Sequence, residues 1–421
     1  MQKNIRILPF YSYFLLIIAW EQRQLGEVSE SYSGGTPSAN KSEYYGGDIP
    51  FIRSAEINSN NTELFITEDG LKSSSSRMVK TGEILYALYG ATSGEVGISK
   101  INGAINQAIL AIKPKFGYNS QFIMQLLRFK KQRITERYLQ GGQGNLSGSI
   151  VKELEILFPF TAEQSKIGTF FKQLDDTITL HQRKLDKLKL LKQGYLQQFF
   201  PQYDEKIPKV RFANFTDEWE QRNVGNFLSE SKVKGSDGSI AKKITVKLWR
   251  KGIVPKNNMF KGSSATQYYI RSAGQFMYGK LDFLNQSFGI LPAELNGYES
   301  TLDSPAFDFK NGIDPIFFLE NVCQENFYKY QGNIANGSRK AKRIHSDTFF
   351  DMPIIIPNFE EQQKVGSFFK ELDTTIALHQ SKLGKLKSLK QVLASATMIL
   401  LISSEIVLYF ISDTSTDASA F

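Results

Sequence analysis

The sequence predicts an α+β chain in which two mixed α/β modules, each followed by a long helix, are repeated in tandem. Three observations predict it. The segment Glu163–Gln193 recurs without a gap as Glu361–Gln391, identical at 22 of 31 positions and offset by 198 residues. Trp20-Glu-Gln-Arg23 recurs as Trp219-Glu-Gln-Arg222, offset by 199. Between these anchors the apolar runs are short and broken by Gly, Asn and Ser, which is the pattern of strands and turns. A period near 200 residues is far longer than the ~20–50 of a solenoid, so a whole domain-sized unit is duplicated.

The elements follow in chain order. Residues 1–19 form an atypical N-terminal segment with a basic start and an apolar run. In the first module, residues 20–160, the runs Ile49–Ile52, Gly82–Leu88, Ile105–Ile112 and Glu155–Phe158 read as strands and Gln121–Tyr138 as a helix. The glycine-rich run Gly90-Ala-Thr-Ser-Gly94-Glu-Val-Gly97 lacks the lysine of a phosphate loop and reads as a turn-rich hairpin. A long helix occupies 161–200. A connector with two prolines follows at 201–218, then the second module at 219–358, a second helix at 359–393 and an atypical tail at 394–421. The two modules barely align. Gly82-Glu-Ile-Leu-Tyr86 faintly echoes Gly274-Gln-Phe-Met-Tyr278, and Leu154–Pro159 echoes Met352–Pro357.

Both helices carry a heptad seam. Ile167, Phe171, Leu174, Ile178, His181, Leu185 and Leu188 alternate spacings of four and three, and Val365, Phe369, Leu372, Ile376, His379, Leu383 and Leu386 repeat the register. Such helices pack on each other as a coiled coil, and Lys184, Lys187, Lys189 and Lys192 read as its solvated face. His181 and His379 fall at equivalent positions, but a zinc site needs three or four ligands and no third is in sight, so no metal is expected.

The 421 residues carry a net charge of +9, with 41% hydrophobic and 22% charged residues, which excludes a largely disordered chain. A single cysteine, Cys323, excludes a disulfide scaffold and suits a reducing cytoplasm. The charge is concentrated. Gly238–Leu281 holds nine Lys/Arg and no acid, Val96–Thr135 holds seven and none, and Asn336–Arg343 is a third basic patch. Tyr, Trp and Phe are interleaved, among them Trp249, Tyr268, Tyr269 and Tyr278. Lys and Arg neutralise phosphates, and Arg, Gln and Asn also pair with base edges, so these loops suit DNA. The candidate contacts are Lys247, Arg250, Lys251, Lys256, Arg271, Arg339, Lys340, Lys342 and Arg343 in the second module. In the first they are Arg53, with Gln143 and Asn145 of the turn Gly141–Asn145, which lies where the third patch lies in the other half. No methyltransferase or nuclease motif and no Ser/His/Asp or Cys/His set is present, so no catalytic residue is assigned and the chain reads as a binder.

The WEQR entry, the run GEILYALYGATSGEVGIS at 82–99 and the paired EQxKIGxFFKxLDxTIxLHQxKLxKLKxLKQ helices resemble a specificity subunit of a Type I restriction-modification system, over roughly 20–393. The resemblance implies two target-recognition domains separated by two helices packed antiparallel in pseudo-two-fold arrangement, each domain reading one half of a bipartite, asymmetric site in double-stranded DNA. It implies two methyltransferase subunits and the restriction subunits as partners. Methylation and cleavage would belong to them, with S-adenosylmethionine, ATP and Mg²⁺ used there and no cofactor in this chain. The alternatives are a stand-alone DNA-modifying enzyme and a coiled-coil scaffold without DNA function. Both ends depart from the family pattern. No module-preceding segment like Pro208–Glu218 stands before Trp20, and the tail becomes VLASATMILLISSEIVLYFI where the first copy continues GYLQQFFPQ. These ends are read as altered or frameshifted rather than as a membrane anchor, since Ser403, Ser404 and Glu405 interrupt the apolar run.

Overall fold

A computed structural model describes residues 20–138, 145–202, 205–256, 263–334 and 343–416, with backbone alone at 334 and 397–416. The chain divides into two compact units. Unit 1 takes the chain up to His181 and again from Leu383 onward; unit 2 is Gln182–Lys382. The division therefore falls inside each long helix rather than at the end of a module.

Unit 1 contains β1 (Glu21–Gln24), β2 (Ser29–Ser33), β3 (Tyr45–Ile52), β4 (Phe65–Ile66), β5 (Arg77–Val79), β6 (Ile84–Ala87), β7 (Val96–Ile98), β8 (Gly103–Ile105), β9 (Ile109–Pro114), α1 (Ser120–Tyr138), β10 (Glu155–Phe158) and the first half of α2 (Thr161–Phe199). One sheet runs β2-β9-β6-β7, all antiparallel, and a second runs β4-β3-β8-β5 with β3 parallel to β8. The hairpin expected around Gly90–Gly97 is present: β6 pairs with β7, with Gly90 at φ +81° and Gly94 at φ +78°, where glycine has no Cβ penalty. The run Ile105–Ile112 is a correction to the sequence reading. It forms the ends of two strands, because Asn106 turns the chain by accepting from the N–H groups of Ala108 and Ile109.

Unit 2 contains β11 (Glu220–Asn223), β12 (Leu228–Ser231), β13 (Lys234–Asp237), β14 (Ile244–Val246), β15 (Ile253–Pro255), β16 (Gln267–Ile270), β17 (Phe276–Tyr278), β18 (Phe288–Ile290), β19 (Glu299–Ser300), β20 (Ala306–Phe309), α3 (Pro315–Val322), α4 (Glu325–Ile334), β21 (Pro353–Ile356) and the first half of α5 (Phe359–Thr416). Its main sheet, β12-β20-β17-β18, repeats the order of the first unit's main sheet. The repeated tetrapeptide becomes an equivalent strand in each unit, β1 against β10 and β11 against β21. The modules differ outside this frame: unit 2 replaces the second sheet by β13-β16-β19 and a separate β14–β15 hairpin. The cores differ as well. Ile84, Leu110, Ile112, Ile123 and Leu127 fill unit 1, where Phe276, Phe288, Phe307, Phe317 and Phe349 fill unit 2.

Every seam residue named from the heptad pattern is buried or half-buried, while the lysines at 184, 187 and 189 are exposed. Within unit 2 the helices are antiparallel: Tyr195 and Phe199 meet Phe368, and Lys192 meets Asp373. Unit 1 has the reciprocal pair, Lys390 to Asp175 at 2.5 Å. Pro201 ends α2 soon after Phe199. The second helix outruns its expected end at 393, because no Pro or Gly occurs between Gly384 and Thr416 to stop it. Among the described residues no helix is long and apolar enough to cross a membrane.

Candidate nucleic-acid interface

The repeated residues of the long helices hold the modules. Buried Gln164 accepts from the N–H of Asn119 (3.0 Å) and donates to the carbonyl of Pro159 (2.8 Å). Gln362 does the same with Asp314 (3.0 Å) and Pro357 (2.9 Å). Asn119 and Asp314 in turn accept from the N–H groups of Phe122 and Phe317, in the first turns of α1 and α3. Gly168 and Gly366 lie against these turns. A Cβ at Gly168 would stand 2.7 Å from Asn119 Oδ1, and one at Gly366 would strike Asp314 Oδ1. Glycine is needed there for close approach, which accounts for its place in both copies.

The frame also holds matching points beside the two candidate segments, Gly141–Asn145 and Asn336–Arg343. Leu88 and Lys280 each stand two residues after the buried tyrosine of the central strand, Tyr86 or Tyr278. Leu146 donates its N–H to the Leu88 carbonyl (2.8 Å), and Ile344 donates to the Lys280 carbonyl (3.0 Å). The residues just before these anchors are Asn145 and Arg343. Asn145 is exposed and bridges Tyr89; Arg343 is exposed and 3.5 Å from Asp303. Gln143, Arg339, Lys340 and Lys342 lie outside the described residues.

The other predicted contacts separate into two groups. Lys247, Lys251 and Lys256 are exposed. Lys247 and Lys251 flank the tip of the β14–β15 hairpin, where Trp249 and Arg250 both take φ +56° and Trp249 is 56% exposed. Left-handed backbone at two consecutive side-chain-bearing residues is strained and needs support. It comes from backbone bonds to Asn285 and Gln286, and from Arg250, which turns inward and grips Glu320 through both terminal nitrogens (2.8 and 2.6 Å). Arg250 is therefore a correction: it anchors the hairpin that presents Lys247, Trp249 and Lys251. Arg271 is a second correction. It is 0% exposed, bonded to Ser300 Oγ and the Ser231 carbonyl at 2.8 Å, and burial pulls its pKa down to about 10. Arg53 is half-exposed but its guanidinium is shared between Glu56 and Glu63. Burial works to raise the Glu56 pKa, and bonds from Arg53, Glu63 and Thr62 overcome it and bring it down to about 2. In the first module's basic stretch, Arg128 bonds Asp175 (3.1 Å) and Lys131 pairs with Glu95.

Sequence reasoning missed the charged clusters at the long helices. In unit 2 Lys192, read as solvated face, is 14% exposed and bonds both Glu320 (3.0 Å) and Asp373 (2.7 Å). Glu320 is buried; burial opposes its ionisation, but Arg250 and Lys192 hold its pKa below the ordinary carboxylate value. In unit 1 Asp175 accepts from Gln125 (2.7 Å), Arg128 and Lys390. The signal was available: Asp175 and Asp373, like Lys192 and Lys390, are each retained at the repeat offset. Among the described residues no three His, Cys, Asp or Glu are grouped to hold a metal.

Residues 18–190 match the model of the Type I restriction modification DNA specificity domain. The chain is similar to the specificity subunit of the type I restriction enzyme MjaIX of Methanocaldococcus jannaschii, with 30% identity over 231 residues, 50% of this chain and 51% of that one. It is also similar to the HindI specificity subunit of Haemophilus influenzae, with 27% identity over 177 residues, 38% of this chain and 37% of the other. These matches thus span about half the length of those relatives or less. The fold is similar to that of the type I restriction-modification system S subunit from M. genitalium, with a TM-score of 0.62 at 14% identity, covering 93% of this chain and 97% of that one.

Proposed function

We propose that this chain, similar over residues 18–190 to the Type I restriction modification DNA specificity domain, acts as a type I specificity subunit, that each unit reads one half of a bipartite DNA site and that the chain performs no chemistry itself. The observation that carries this reading is the equivalence of the loop anchors at Leu88–Leu146 and Lys280–Ile344. Divergent segments that rejoin a duplicated frame at the same point suit two half-sites of different sequence. In unit 2 the exposed Lys247, Lys251 and Lys256 supply phosphate contacts and Trp249 an apolar one.

The long helices fix the gap between half-sites. The seam from Ile167 to Leu188 spans about 32 Å at 1.5 Å per residue, which matches roughly nine or ten base pairs. Two methyltransferase subunits dock on the chain, restriction subunits join them, and S-adenosylmethionine, ATP and Mg²⁺ are used in those partners. Action in the cytoplasm accords with the single, buried Cys323.

The test is to map methylated sites by single-molecule sequencing after expression with and without the methyltransferase. A split recognition sequence with a fixed spacer is expected only with the partner. Methyl transfer by this chain alone, or methylation without a split site, would overturn the reading.

A further inference from the structure

In unit 2 the stretch that precedes Trp219 lies on the first turns of α5. Arg211 makes a bidentate pair with Glu361, Nε to Oε1 at 2.8 Å and Nη2 to Oε2 at 2.7 Å, with both side chains largely buried. Phe212 packs on Phe199 and Phe368, with ring centroids 5.4 and 6.3 Å away. The Lys364 ammonium sits 4.7 Å from the centre of the Phe215 ring. Three of the four receiving residues recur in α2, where Glu361, Lys364 and Phe368 become Glu163, Lys166 and Phe170; the fourth, Phe199, has Thr397 at its repeat offset. Their surroundings differ. Phe170 is 48% exposed, Lys166 is exposed, and Glu163 is half-exposed with no side-chain partner among the described residues. One copy of this face is covered by an Arg-Phe-x-x-Phe segment, and the other copy keeps most of the same chemistry uncovered among the described residues.

We infer that the Glu163–Lys166–Phe170 face of α2 is a docking site for this chain's own first residues, with Arg6 on Glu163 and Ile7 and Phe10 on Phe170 and Lys166. Three facts select that occupant. It precedes Trp20 as Arg211–Phe215 precedes Trp219. Although no full counterpart of Pro208–Glu218 stands before Trp20, Arg6-Ile-Leu-Pro-Phe10 keeps the arginine, an apolar neighbour and the phenylalanine four positions on of Arg211-Phe-Ala-Asn-Phe215, with all three inner residues changed. The reach suffices, since Arg211 is eight positions before Trp219 and Arg6 is fourteen before Trp20. Ile7 in place of Phe212 makes the contact weaker than its counterpart, because an aromatic pair is lost.

The test uses the full chain, whose one native cysteine, Cys323, is buried. Cysteines are placed at Arg6→Cys with Glu163→Cys, and at Arg211→Cys with Glu361→Cys as the reference. A short bismaleimide joins them, since paired Arg and Glu side chains hold their backbones too far apart for a disulfide. Comparable yields of the two intramolecular links are expected. A link at 211–361 with none at 6–163 overturns the proposal, as it would if the face stays open or takes another protein. Hydrogen exchange is the second measurement. Arg6→Glu should raise exchange over 163–171 several-fold while Arg183→Glu leaves it unchanged, and equal exchange in both variants also overturns it.

Discussion

Asp175 and Asp373 hold the same place in the repeat, and each binds the lysine that the other long helix supplies, Lys390 or Lys192. What the modules add is different. The first surrounds Asp175 with Gln125 and Arg128, whereas the second adds the buried Glu320 and balances it with Arg250. The helix residues are constant, and the inserted module completes the charge balance in its own way. A divergent module is thus constrained at the few positions that face the frame and free elsewhere. This explains how modules with an aliphatic core and an aromatic core can sit on near-identical helices.

The comparison can be broken most directly at Glu320. Glu320→Ala leaves Arg250 and Lys192 with a buried vacancy between them and should cost about 3–5 kcal/mol in urea unfolding of unit 2. Gln125→Ala removes one donor from an Asp175 that keeps two cations, and should cost about 1–3 kcal/mol. Equal losses would show that the two clusters are not built differently. The glycines test the constant part. Gly168→Ala and Gly366→Ala each push a long helix off the helix turn beneath it and should cost about 1–3 kcal/mol, similar in both units.

On the proposed reading, the hairpin separates anchors from DNA contacts. Lys247→Ala and Lys251→Ala should change stability by less than about 0.5 kcal/mol and each lower the salt slope of DNA binding by about one. Arg271→Met should do the reverse, costing about 1–3 kcal/mol by stranding its buried acceptors while leaving the slope unchanged. The smallest effect concerns acid. Glu56 titrates at about 2 in the fold against an ordinary 4.5, so its contribution is complete above about pH 4.5 and lost as pH falls through about 2. Arg53→Ala should move the acid limb of unit 1 stability, followed by urea midpoints against pH, to higher pH.

The duplication, the two long helices and their seam were legible because identity and heptad spacing are local in sequence. The strand Glu155–Phe158 was legible for the same reason, and the division of Ile105–Ile112 was not, since a single Asn106 makes the turn within an apolar run. Charge runs gave the neighbourhood of the candidate interface but not which side chains face solvent. Arg250 is turned inward by Glu320, 70 positions away, and Arg271 by Ser231 and Ser300 from other strands. An acid-free window therefore says that cations are dense, and long-range pairing decides which of them remain free.

The division of the chain inside its helices also bears on synthesis. Unit 2 is one continuous stretch, complete once Lys382 has left the ribosome, whereas unit 1 still waits for the segment that begins at Leu383. Domains commonly form in the order they are made. Here the half that begins first is finished after the other, and Asp175 meets Lys390 only once all of unit 2 has been made. A nascent chain arrested before Leu383 should carry a protease-resistant second half and a first half that is still incomplete.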